Sequence, residues 1–423
     1  MPSRERSLTA HDVRRFVDDY CFAPASAESR VGVEVEWLPV DLAHPDEPLP
    51  PGPLSAFEAL TGIDTMPAGS RLTLEPGGQV ELSSPPLRGI GPACAALAAD
   101  AATLTRTLAE AGVGLVGIGF DPRPDPPRRV YGPRYDAMEA YFDAKCAAGR
   151  TMMRATAAVQ VNVDLGPDTA TAETRWRRAH DLGPTLAGAF ANSPIGAGAW
   201  PSGWRSRRQA VWSDIDACRT AAVADGHADC REEWADYALA AHVMLVRRDE
   251  RTFVPLIAPP TFAEWIEHGH ELGFPTLPDL EYHLTTLFPP VRPRGWLELR
   301  MIDGLPDPWW RVAVAVAVTL VADDDAAAAC EAAVEPTRGM WREAARHGLD
   351  HPRLAASARV CFEATLDALS RLGSDAATVA AVAAFHDRYT ARGRCPADDR
   401  LAEWAQDSTL LPTSDRFVEL TWV

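Results

Sequence analysis

The sequence predicts one large α+β domain, in which an antiparallel sheet is covered on one side by helices. Three observations carry this. Four stretches place polar side chains at i and i+2 with apolar residues between them: Glu34 and Glu36 in VGVEVEW, Gln79 and Glu81 in GGQVEL, Gln160, Asn162 and Asp164 in AVQVNVDL, and Glu298 and Arg300 in WLELR. Such alternation is the period of a strand with one buried face. From Trp309 to about Gln406 the chain is alanine-rich, with valine and leucine at helical spacing. No repeat or low-complexity linker separates the halves, so residues 1–423 read as a single unit, sheet-rich over 1–306 and mainly helical over 307–423.

The elements follow in order. Residues 8–22 predict a first helix, followed by the VGVEVEW strand and a proline-rich exposed crossing from Pro39 to Pro53. RLTLEPGGQVELSSPP predicts a hairpin turning at Gly77 and Gly78, with Glu75 and Glu81 flanking the turn. A helix from Pro92 to Ala111 precedes a glycine-dense strand, GVGLVGIGF. Gly112, Gly114 and Gly117 there spell G-x-G-x-x-G, but a dinucleotide fingerprint follows a strand and opens a helix, whereas this one follows a helix and runs into DPRPDPPRR.

Tyr135–Ala148 predicts a helix, RTMMRATAAVQVNVDL passes into a strand, and Ala172–Phe190 returns to helix. Residues 192–219 read as an irregular loop rich in Gly, Pro, Trp and Arg, the kind that carries function in compact folds. Its Trp200, Trp204 and Trp212 fit either a lid or a packed loop, and Asp214 and Asp216 fit a loop-ordering role. A helix over Arg231–Leu245, a hairpin in VMLVRRDERTFVPL and a short helix over Phe262–His270 precede the last diagnostic strand, WLELR.

A net charge of −18 argues against nucleic acid or an anionic membrane as the main partner and favours a small-molecule substrate. The charged N-terminus lacks an apolar signal core and no apolar run is long enough to span a bilayer, so a cytoplasmic location is expected. The eight cysteines are scattered without C-x-x-C spacing and read as reduced structural thiols. Lys145 is the only lysine and follows YFDA rather than a glycine-rich run, so phosphate charge must be met by metal and arginine. If the four strands pair, their carboxylates converge on one face. That surface suits a hard cation such as magnesium, which takes oxygen ligands and shares its coordination with substrate phosphates.

VGVEVEW, LEPGGQVELSSPP, RTMMRATAAVQVNVDL, ANSP and HLTTLFPPVRPRGWLELR occur in an order that resembles the plant-type and bacterial glutamate-cysteine ligase family, in its ergothioneine-pathway branch, from about Val31 to Pro306. The resemblance implies a glutamine-synthetase-like antiparallel sheet forming a funnel-shaped active site. There ATP and Mg²⁺ would activate the side-chain carboxylate of L-glutamate, and the amine of L-cysteine would attack to give γ-glutamylcysteine. It further implies that Glu34, Glu36, Glu81 and Glu298 hold magnesium together with Gln160, whose position can be histidine in other branches. Glu36, Glu298 and Arg300 would be catalytic, with Arg300 approaching the phosphates or the acyl phosphate. Arg154, Arg208, Gln160 and Asn162 would bind substrate, the two arginines near glutamate's α-amino acid end, with Arg207 and Arg219 as alternatives. Glu75 would serve either the site or its turn. Two other readings stay open: a glutamate ligase with a different amine acceptor, and a nucleotide-binding pseudoenzyme.

Overall fold

In the computed structural model, residues 7–23, 29–49, 66–223, 229–372, 374–407 and 411 are described. The strands are β1 (Arg30–Asp41), β2 (Arg71–Leu74), β3 (Val80–Ser83), β4 (Leu87–Arg88), β5 (Val113–Val116), β6 (Ala158–Asp164), β7 (Leu245–Arg247), β8 (Phe253–Pro255), β9 (Val291–Pro293) and β10 (Trp296–Asp303). The main sheet has eight strands, in the order β2-β3-β1-β6-β10-β9, with β4 and β5 pairing to the two ends of β1. Every pairing is antiparallel. β7 and β8 form a separate hairpin.

The apolar half of the alternation is buried completely. Val31, Val33, Val35, Val159, Val161, Val163, Leu297 and Leu299 are all fully inaccessible to solvent. Against this face packs the helix Trp309–Ala322, buried around its whole circumference from Val312 to Val321, together with Thr169–Ala189. Each fully buried valine or leucine contributes about 1.5–3 kcal/mol. One hydrophobic core runs from Val17 to Ala397, so the sheet and the C-terminal helices share it.

The C-terminal part is helical as expected, in the segments Trp309–Ala322, Asp324–Val334, Trp341–His347, Pro352–Arg371, Ala376–Arg388 and Pro396–Asp407. Among the described residues no helix is long and apolar enough to cross a membrane. The rejected glycine motif runs from the turn before β5, through β5, into the coil after it; the next helix opens only at Pro133.

Several boundaries differ from the sequence expectation. The first helix, Ala10–Phe16, opens on a reciprocal Thr9–Asp12 capping box and continues as a π-helical turn, Val17–Cys21. β1 does not end at Trp37. Leu38 to Asp41 pair with β5, and the buried Leu38 and Val40 reward that extension, so the crossing begins later; its residues from 50 onward lie outside those described. Residues Ala148–Ala155 are a helix rather than the lead into a strand, because Met152 and Met153 bury their side chains from consecutive helical positions. The irregular segment contains two short helices, Arg207–Ser213 and Ala217–Thr220, capped by Ser206 and Asp216. The helix expected to reach Leu245 stops at Ala240, since Leu245 belongs to β7.

Candidate active site

The polar half of the alternation faces a cavity of about 500 Å³. The sheet register decides which residues meet there. Glu36 of β1 stands opposite Glu81 of β3, Glu34 stands opposite Gln160 of β6, and Glu298 of β10 stands between Asn162 and Arg292. Glu34, Glu36, Glu75, Gln79, Glu81, Gln160, Glu298 and Arg300 all line the cavity.

The hairpin turn supplies Glu75 and Gln79. Gly78 donates its N–H to the Glu75 carbonyl (2.7 Å) and adopts φ +89°, a conformation that favours glycine. Gly77 lies so close to the Arg154 backbone that a Cβ would sit 2.1 Å from its carbonyl oxygen. The two glycines therefore press the turn onto the helix Ala148–Ala155 and hold Glu75 at the cavity wall. Gln79 Nε2 donates to the Thr156 carbonyl (2.8 Å), which leaves Gln79 Oε1 buried without a partner.

β10 supplies the cationic side. A register shift between Leu299 and Ile302 re-aims Arg300, whose Nη1 bonds Gln160 Oε1 and Glu298 Oε2 (3.0 Å to the latter). Glu298 is buried and also receives Arg292 Nε at 2.7 Å and Arg294 Nη1 at 3.1 Å. Burial alone would raise its pKa, but Arg292 and Arg300 prevail and hold the carboxyl well below the usual range. Burial likewise pulls Arg292 down to about 10.

On the β1–β3 side the balance reverses. Burial, then repulsion from Glu298 and Glu81, pushes Glu34 up to about 7. Burial, then Glu75 and Glu81, pushes Glu36 well above the ordinary carboxylate value. Burial, then Glu81, pushes Glu75 up to about 7. These carboxylates repel one another, and among the described residues none of the three is drawn into an ion pair as Glu298 is.

That donor set fits hard divalent ions. It offers glutamate oxygens in excess of nearby positive charge, together with the unpartnered Gln79 oxygen. Among the described residues no three of the cavity glutamates bring oxygens within 4.8 Å of one another. The site is therefore no all-protein cage, and an ion here would complete its shell with water and substrate phosphate, as magnesium does.

Three expected substrate contacts lie outside the cavity wall. Arg154 sits at the end of a helix, and its guanidinium is taken up by Glu139, itself bonded by Arg128 at 2.9 Å. Asn162 donates to Glu34 Oε1 (3.0 Å) and accepts from Trp296 Nε1 (3.1 Å), so it orients a cavity glutamate. Arg208 is 3% exposed and lies beneath β10, with Nη2 on the Arg300 carbonyl (2.8 Å) and Nη1 3.9 Å from Asp303. Of the alternatives, Arg219 is fully buried in bonds to Asp216, Tyr141 and Thr286, and Arg207 does not line the cavity. Trp212 forms part of the wall beneath Arg300, whereas Trp200 is exposed beside Trp404 and Trp204 packs under Arg342 and Arg346.

A model of the glutamate-cysteine ligase family 2 matches residues 30–411, a span that contains every strand described. The chain belongs to this family. Its relatives include the glutamate–cysteine ligase EgtA of Mycolicibacterium smegmatis, 46% identical over 78% of this chain and 78% of that protein. The EgtA of Mycobacterium tuberculosis is 40% identical over 91% of this chain and 88% of its own. The chloroplastic glutamate–cysteine ligase of Arabidopsis thaliana is 35% identical over 60% of this chain and 49% of its own. Among solved structures, a bifunctional glutathione synthetase from Pasteurella multocida shares the fold at TM-score 0.51 and 15% identity; the match covers 91% of this chain and half of that longer one.

This family 2 ligase brings further residues to the cavity that strand alternation did not single out. Arg292 and Arg294 alternate at i and i+2 just as Glu298 and Arg300 do, and Gly295, at φ +81°, turns β9 onto β10 between them. That repeated spacing is a readable signal. Arg134, Tyr135, Glu281 and Phe288 arrive from helix and loop packing, and no local pattern marks them.

Proposed function

We propose that this chain joins the side-chain carboxylate of L-glutamate to the amine of L-cysteine, driven by ATP, to give γ-glutamylcysteine for ergothioneine biosynthesis. The observation that carries the reading is the convergence of Glu34, Glu36, Glu81 and Glu298, distant in the chain, on one cavity beside Arg300. Membership in the ligase family and similarity to two EgtA proteins over most of the chain support it.

A carboxylate oxygen is a poor leaving group, so glutamate must first be activated. Its γ-carboxylate oxygen attacks the terminal phosphorus of ATP, a new O–P bond forms and ADP departs. The amine nitrogen of cysteine then attacks the γ-carbonyl carbon, phosphate leaves, and the nitrogen loses its proton. No enzyme nucleophile is needed, and catalysis consists of positioning and charge stabilisation. Magnesium, when bound, neutralises the triphosphate and polarises the transferring phosphoryl group.

The chain's own residues divide the work. Glu34, Glu36, Glu75 and Glu81 offer oxygens for the ions, with Gln79 and Gln160 supplying amide oxygens. Arg300, held by Glu298 and Gln160, presents a planar fork to the phosphoryl group. Glu298, already closed by three arginines, acts here as their anchor. Asn162 fixes Glu34, and Arg208 supports the Arg300 backbone from below.

The test is ADP release in the presence of magnesium, glutamate and cysteine, with each omitted in turn, for the wild type and for folded Glu36→Ala and Glu298→Ala variants. Release should require all three and fall by at least about 10²-fold in each variant. Undiminished turnover in both variants, or equal turnover with unrelated amines, would reject the reading.

A further inference from the structure

Away from the glutamate cavity, three different donor types meet at one point. A carboxylate oxygen of Asp216, the sulfur of Cys218 and a ring nitrogen of His242 all lie within 4.8 Å of one another. Among the described residues this is the one group of three or more His, Cys, Asp or Glu side chains drawn so close. We propose that Asp216, Cys218 and His242 form a second metal site, for a borderline divalent transition metal such as Zn²⁺, with its fourth position open to water.

The geometry matches that ion. Cys218 Sγ and His242 Nδ1 are 3.4 Å apart. Two ligands on a tetrahedral zinc, with ordinary Zn–S and Zn–N bonds, stand about 3.6 Å from each other. All three residues are half-buried, so the open position can reach solvent. Thiolate and imidazole donors favour zinc over magnesium, which separates this site chemically from the all-oxygen set in the cavity.

The supporting groups are in place as well. Tyr141 donates its hydroxyl to Asp216 Oδ2 (2.6 Å), and Arg219 Nε donates to the same oxygen (3.1 Å). The second carboxylate oxygen, Oδ1, accepts the Cys218 N–H (3.3 Å). Such outer bonds fix the direction of a ligating carboxylate. On binding, Cys218 gives its thiol proton to solvent and ligates as thiolate, while His242 keeps its proton on Nε2 and ligates through Nδ1.

The position has a structural consequence. Arg219 ties this cluster to the cavity wall, since its Nη2 bonds the His242 carbonyl (2.7 Å), its Nη1 bonds the Thr286 carbonyl (2.9 Å) and its own carbonyl accepts the Phe288 N–H (2.7 Å). Phe288 lines the cavity. A bound ion would clamp the short helix Ala217–Thr220 to the segment leading into the β7–β8 hairpin and stiffen that wall.

Cobalt(II) is the probe, added to the full-length reduced chain. The expected result is one Co²⁺ per chain giving a thiolate-to-cobalt charge-transfer band in the near ultraviolet, with visible bands of tetrahedral intensity, bleached by one equivalent of Zn²⁺. The band should persist in Glu81→Gln and vanish in Cys218→Ser and His242→Gln. A folded wild type that binds cobalt without a thiolate band, which means that the three side chains form a hydrogen-bonded trio only, overturns the proposal whether or not the variants fold. A band that survives in Cys218→Ser overturns it equally.

Discussion

Glu36 and Glu81 occupy directly opposed positions on neighbouring antiparallel strands, with Thr73 and Ser83 hydroxyls donating to the Glu81 carboxylate at 2.7 and 3.1 Å. Like charges placed opposite each other destabilise a sheet unless something neutralises them. Replacing Glu81 by Gln should therefore raise the melting temperature of the metal-free protein while abolishing the additional stabilisation by Mg²⁺ and ATP. Thermal melts in chelator and in excess Mg²⁺–ATP measure both effects, and a variant that keeps the ligand-induced rise refutes Glu81 as a metal ligand.

Protonation gives a second handle on the same cluster. The folded-state value of Glu75 is raised from 4.5 to about 7, so the folded protein holds this proton more tightly than the unfolded chain does. The stability it contributes is complete below pH 4.5 and is lost as pH rises to about 7. In chelator, the stability of Glu75→Gln relative to the wild type should increase across that window and then level off. Urea denaturation at several pH values follows the difference. Mg²⁺ binding near pH 6.5 should release protons, which calorimetry in buffers of different ionisation enthalpy detects.

Glu298 should behave in the opposite sense. Its replacement by Gln leaves Arg292, Arg294 and Arg300 facing one another with their shared counter-charge removed, at an expected loss of about 3–5 kcal/mol. A double-mutant cycle with Arg292→Met should recover a substantial part of that loss, and strictly additive effects would show that the pair is not coupled.

The turn at Gly77 is a steric prediction. An alanine methyl would meet the Arg154 carbonyl oxygen at 2.1 Å, so Gly77→Ala must displace the turn. Overpacking of this kind costs about 1–3 kcal/mol. Because Glu75 moves with the turn, activity should fall more than stability does, and a denaturation midpoint read beside initial rates separates the two.

Arg154 supplies a test of placement. With its guanidinium engaged by Glu139, Arg154→Met should lower stability and leave the KM for glutamate within about 3-fold of wild type. A KM rise of about 10² or more with unchanged stability would return Arg154 to the substrate.

The strand glutamates of this site could be read from the chain because strand alternation has a period of two and Glu34, Glu36, Glu81 and Glu298 each sit between buried apolar residues. The Gly-Gly turn was readable for a related reason, since few residues tolerate its backbone. The helix that carries Arg154 is not legible, because a short run such as TMMRATAA suits a helix and a strand equally well, and only the packing of Met152 and Met153 decides. Arg134 and Tyr135 reach the cavity through the docking of the helix Pro133–Lys145, a tertiary event that leaves no local trace. Arg208 is buried with its guanidinium on the Arg300 carbonyl, a contact between distant segments that no local spacing marks.

β1 takes hydrogen bonds from β3, β4, β5 and β6, and its remoter neighbour β10 brings Glu298. During synthesis, then, Glu34 and Glu36 leave the ribosome long before the residues that enclose them. A chain halted short of WLELR has the first carboxylates but lacks Glu298 and Arg300. The pocket is therefore completed only when β10, late in the chain, pairs with β6.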